Sequence, residues 1–130
     1  MPLLAQNLMK ILPQKDFPLL EEYKKFPITN ETIFPYGDTI YTNYDLPPDI
    51  LVHELVHLKQ QEKGLNEWEN KYLNDPKFRL TQEIEAYQAQ VKSLKDRNMR
   101  AVSKVRCARA LSSDLYGGLI SYEEALKLLK

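Results

Sequence analysis

Two histidines four residues apart inside an apolar helical pattern constrain this chain more than any other feature. Leu51-Val52-His53-Glu54-Leu55-Val56-His57-Leu58 reads as helix. A spacing of four sends both imidazoles out of one face, one turn apart. That is the arrangement two imidazoles need to hold a single zinc ion, and Glu54 beside them can take a proton from a water on that ion. Leu55 and Val56 turn to the other side, where they can enter a core. The chain has 2 histidines, and both fall in this stretch.

The rest of the composition narrows the setting. With 130 residues, 43% apolar and 28% charged, the sequence suits one soluble globular domain spanning 1–130 with a single modest core. Lys+Arg and Asp+Glu balance at 18 each, so no global field draws the chain to nucleic acid or to anionic lipid. The single cysteine, Cys107, rules out an internal disulfide and a cysteine-based metal site, and a reducing, cytoplasmic setting is expected. The apolar start of the chain lacks a basic leader and a cleavage site. Leu3, Leu4, Leu8 and Ile11 follow helical spacing instead, so residues 1–12 are expected to form an amphipathic helix stopped by Pro13. No apolar run approaches the ~20 residues of a membrane span.

Along the chain, a short helix or turn is expected between Pro18 and Pro27. Thr29–Phe34 and Thr39–Tyr44 read as two strands joined through Pro35-Tyr36-Gly37-Asp38. Asp45 with Leu46-Pro47-Pro48 marks the entry to the histidine helix, which runs to Lys63 and ends at Gly64. A connector follows, with a short helix over Glu67–Leu73, where Trp68 and Tyr72 are expected to pack as core. Longer helices are expected from Thr81 to about Lys95 and from Met99 to Leu115, and Ser121-Tyr122-Glu123-Glu124 is a capping box for a last short one. The fold class is α+β and mainly helical, with a small sheet ahead of the histidine helix.

A catalytic zinc needs three protein ligands and one open position. With no third histidine, the remaining ligand is a carboxylate, and Glu83 and Glu85 are the best placed. They lie about 200° apart on a helix and cannot both face one ion. Glu83 is preferred, because it shares its face with Ala86, Tyr87 and Gln90, and a small residue at 86 allows close approach of two helices. Glu85 sits on a solvent-like face with Gln82, Gln88, Ala89 and Lys92 and stays as the alternative.

His53-Glu54-Leu55-Val56-His57 followed by Glu83 and Ala86 resembles the gluzincin branch of the zincin metallopeptidases, and the chain's size is similar to the compact single-domain members. The resemblance covers residues 39–90. It implies a zincin-like domain with zinc held by His53, His57 and Glu83, Glu54 as the catalytic base, and a peptide or protein substrate. It also implies that an edge strand ahead of the helix, here Thr39–Tyr44, pairs with extended substrate, with Tyr41 and Asn43 as candidate contacts. Tyr87 stands where many relatives carry an aspartate that orients a zinc-binding histidine. In some compact relatives the C-terminal segment covers the cleft, and the last helix here is a candidate for that.

The expected activity is therefore zinc-dependent peptide hydrolysis, with Tyr44, Tyr87, Tyr116 and Tyr122 among the candidate oxyanion donors. The alternative is a zinc-binding regulatory module with no peptidase activity. A third possibility is an interaction surface on the basic run Lys92, Lys95, Arg97, Arg100, Lys104, Arg106 and Arg109, for which a solvated helix face is the simpler account.

Overall fold

The computed structural model describes residues 9–130. It is mainly helical with one small sheet. Strand β1 is Lys10–Leu12, α1 is Leu20–Tyr23, β2 is Phe34–Tyr36 and β3 is Thr39–Tyr41. The long helices follow: α2 Pro48–Gln60, α3 Leu65–Asn74, α4 Pro76–Ser93 and α5 Arg97–Leu111, then the short α6 Tyr122–Leu128. Single 3-10 turns lie at Gln14–Asp16, Gln61–Lys63 and Asp114–Tyr116. Among the described residues no helix is long and apolar enough to cross a membrane.

The helix expected over 1–12 falls mostly outside the described residues. Its last part is instead strand β1, which pairs in parallel with β3 through Ile11 opposite Ile40. Strands β2 and β3 form the hairpin, with Phe34 opposite Tyr41 and Tyr36 opposite Thr39. The turn is shorter than the sequence suggested. Gly37 and Asp38 alone make it, Gly37 has φ 67°, and Pro35 and Tyr36 belong to the strand. Pro35 is tolerated because it faces Ile40 in the pair that exchanges no ladder hydrogen bonds. Its carbonyl accepts from Gln61 Nε2 at 2.9 Å, and Gly37 N–H donates to Gln61 Oε1 at 2.8 Å. One buried amide thus ties the hairpin to the end of α2.

This topology corrects the expectation of a free edge at Thr39–Tyr44. The sheet order is β1-β3-β2, so β3 is the central strand with both flanks occupied. Tyr41 is buried in an aromatic cluster with Phe17, Tyr23 and Phe34. The Asn43 side chain accepts from Gln14 N–H and donates to the Asn30 carbonyl. Both are occupied in holding the sheet and its loops together, and neither lines the cavity described below.

A second core joins the helices: Leu80, Val91, Cys107, Ala108, Leu111, Tyr116, Ala125 and Leu129. Ala125 and Leu129 place the C-terminal helix inside this core, and α6 lines no part of the cavity, so it does not act as a cover. Helix α2 starts at Pro48 behind Pro47, with no side chain capping it, so Asp45 plays no such part. Helix α4 begins at Pro76, five residues ahead of the expected Thr81, because Asp75 accepts from Lys77 N–H and Phe78 N–H at 3.1 Å each and proline fits the first helical position. Helices α2 and α4 pack face to face across Ala86, which has no exposed surface.

One buried acid in α3 sits outside that pairing. Tyr23 donates its hydroxyl to Glu69 Oε1, while Glu69 Oε2 is buried without a partner among the described residues. Burial pushes the Glu69 carboxyl up to about 7, against the Tyr23 hydrogen bond and the nearby His57. A raised folded-state value favours the protonated form, so folding stability falls as pH rises from 4.5 through about 7. Glu69→Gln lacks that titration. Its stability should gain on wild type by up to about 3 kcal/mol over this window in denaturant titrations, whereas a pH-independent difference would contradict the assignment.

Candidate metal centre

The histidine face of α2 meets the Glu83 face of α4 at a single point. His53 Nε2 and His57 Nε2 lie 3.2 Å apart. Glu83 Oε1 is 3.1 Å from the first and 3.2 Å from the second. All three residues are buried, and together they form a group that could hold a metal ion. Glu85 is exposed and points elsewhere, which settles the two carboxylates in favour of Glu83 as the neighbour of the histidines.

Both rings are held from behind. His53 Nδ1 is 3.0 Å from Gln90 Oε1, and His57 Nδ1 is 2.8 Å from Gln60 Oε1. The orientation of the Gln60 amide follows from its other contacts, since its Nε2 donates to the Gln82 carbonyl at 3.1 Å and to Glu85 Oε1 at 2.7 Å. An amide oxygen facing each Nδ1 requires the proton there, which leaves the Nε2 lone pairs aimed at the meeting point. Tyr72 donates to Glu83 Oε2. Oε1 lies against both histidines, and Oε2, besides accepting from Tyr72, is 3.2 Å from His57 Nε2. A cation at the meeting point would take all three as donors, in place of the proton that the Glu83 carboxylate otherwise favours on His57.

The titration behaviour has the same origin. Burial opposes charge on His57, but the Glu83 and Glu54 carboxylates outweigh it and push the ring up to about 9. Burial likewise opposes charge on Glu83, yet His57 and His53 hold its carboxyl well below the ordinary range. Glu54 is raised by burial, with His53 and His57 pulling the other way. Glu54 Oε2 lies 4.0 Å from His53 Nε2, and the carboxylate makes no hydrogen bond among the described residues. It faces a cavity of about 300 Å³.

That cavity lies between the two cores. One wall is aromatic, from Phe17, Tyr23, Phe26 and Phe34. The loop residues Ile28, Thr32 and Ile33 continue it, and the floor is His53, Glu54, His57 and Glu83. The loop is held by Gln14, whose buried amide donates to the Thr29 and Thr32 carbonyls at 2.8 Å each. Tyr87 and Tyr116 also line the cavity, but Tyr44 and Tyr122 do not. Tyr87 packs its ring against His53 at 4.5 Å between centroids and pairs its hydroxyl with Tyr116 at 3.4 Å. The orienting hydrogen bond to His53 comes from Gln90 instead, one turn further along α4.

Sequence reasoning placed His53, Glu54, His57 and Glu83 together and missed Gln60, Tyr72 and Arg79. Gln60 follows His57 by three positions, a visible helical neighbour. Tyr72 lies on a different helix, and its role depends on how α3 folds back, which no spacing reveals. Comparisons with protein-family models, curated proteins and solved structures return no match.

Proposed function

We propose that the chain is a zinc-dependent peptidase with a zincin-like site, in which His53, His57 and Glu83 hold the ion and Glu54 is the general base. The observation that carries this reading is the triangle of Nε2, Nε2 and Oε1 atoms at 3.1–3.2 Å with both Nδ1 protons tied back. Zinc takes nitrogen and oxygen ligands at about 2.0–2.1 Å in a tetrahedron, whose edges are then about 3.3–3.4 Å. Two imidazoles and a carboxylate with a fourth position open to a cavity also match the donor set of catalytic rather than closed structural sites. The resemblance over residues 39–90 points the same way.

Zinc bound there would act as a Lewis acid and acidify a coordinated water. The chain's own residues supply the rest. Glu54, without a hydrogen-bond partner among the described residues and facing the same space, takes the proton from the attacking water and returns it to the leaving amine. Gln90 and Gln60 keep both imidazoles in the ligating tautomer, and Tyr72 keeps Glu83 from turning away. The aromatic wall excludes bulk water and so strengthens each of these interactions.

The size of the cavity, at the lower end of ligand sites, favours a second reading in which the module binds zinc without turnover. One experiment separates the two: hydrolysis of casein by protein carrying one zinc per chain, by the chelated protein, and by protein reloaded with zinc. Cleavage that disappears on chelation and returns on reloading supports the peptidase. Zinc retention with no cleavage supports the binding module, and no zinc uptake contradicts both.

A further inference from the structure

Arg79 is a feature of the cavity that the metal centre leaves unexplained. It lies on α4 one turn before Glu83, lines the same cavity and is 7% exposed. Of its five N–H groups, only Nη1 finds an acceptor among the described residues, the Tyr72 carbonyl, and Nε is buried without one there. The guanidinium lies 4.8 Å from the Phe26 ring centroid and 5.7 Å from that of Tyr72. No carboxylate pairs with it among the described residues, and residues 1–8 contain no acid. Glu83 is engaged by the histidines and Tyr72, and Glu69 by Tyr23.

A buried cation without a counter-ion is costly to fold around, and aromatic faces repay only part of that cost. The arrangement makes sense if an anion arrives from outside. Arginine presents a planar fork that matches a carboxylate with two parallel hydrogen bonds. We infer that Arg79 forms a carboxylate subsite beside the metal centre, so that the cavity takes peptides carrying a carboxylate next to the bond over the ion. This rests on the reading of the cavity as a peptide site. Neighbours four apart on a helix have Cβ atoms about 5–6 Å from each other, so the subsite lies within one residue's reach of Glu83. The carboxylate is either an aspartate or glutamate side chain or the free C-terminus of the peptide.

Calorimetric titration of zinc-loaded Glu54→Gln protein, which holds probes without cutting them, tests this. One arm compares a short blocked peptide containing glutamate with its glutamine counterpart. The other compares a short peptide with a free C-terminal carboxylate and the same peptide amidated. At least about tenfold tighter binding of the carboxylate probe is expected in one arm, and the arm identifies the source. Adding Arg79→Gln should erase the preference, while Arg79→Lys keeps part of it. Equal binding of both members in both arms, no binding of the carboxylate probes, or a preference that survives Arg79→Gln would overturn the subsite. Direct binding of the carboxylate to zinc is recognised by that survival. Casein hydrolysis without carboxylate preference removes the subsite alone, whereas carboxylate preference without hydrolysis removes only the peptidase reading.

Discussion

Glu54→Gln should keep one zinc per chain and lose between about 10²- and 10⁴-fold in casein hydrolysis, the range a positioned general base contributes. Glu54 belongs to the same helix as both histidines, yet it stands 4.0 Å from His53 Nε2 and makes no hydrogen bond among the described residues. Its removal therefore breaks no hydrogen bond that holds the centre together. Glutamine has nearly the same shape, so Tyr72, Gln60 and Gln90 keep their places. The amide cannot accept a proton from water, and activity falls for that reason alone. Thermal stability should be unchanged or slightly higher, because a buried charge is removed. A loss below tenfold, or loss of the metal along with activity, would remove Glu54 from the base role.

Glu83→Ala carries the largest expected effect on metal binding. It removes one of three converging donors, strands the buried Tyr72 hydroxyl and takes from His57 the carboxylate that pushes its ring up to about 9. Competition against a chromophoric chelator should show zinc affinity falling by more than the roughly 10–100-fold expected when only an outer hydrogen-bond partner is removed. Gln90→Leu should fall inside that range, since His53 stays but loses its orienting acceptor. Glu85→Ala should keep the ion. Its carboxylate serves only to accept from Gln60, which the Gln82 carbonyl also holds. Retention of zinc at wild-type affinity by Glu83→Ala would contradict the ligand set.

The parts of this site that could be read from the sequence are those governed by helical spacing. His53 and His57 share a face because they are four apart, and Glu83 faces them with Ala86 because a residue without bulk lets α4 approach α2. Gln90 was visible on that face, though its task was not. Arg79 was hidden by a misplaced helix start: with the helix placed at Thr81, Arg79 fell in a connector and its relation to Glu83 was lost. The Asp75-Pro76 pair inside that connector is a cap followed by a first-turn proline. Strand β1 was lost for another reason. Lys10–Leu12 is three residues long, too short to show period-two alternation, and its partner β3 lies far along the chain. That one pairing turned an expected edge strand into the centre of the sheet, and with it moved Tyr41 and Asn43 into structural positions.

The most direct test of the central claim is anomalous diffraction at the zinc edge from crystals of the zinc-loaded protein. The account predicts one peak, about 2.0–2.1 Å from His53 Nε2, His57 Nε2 and Glu83 Oε1, opening toward Glu54. A peak centred on other residues, or no peak at these three in crystals grown with zinc, would contradict it.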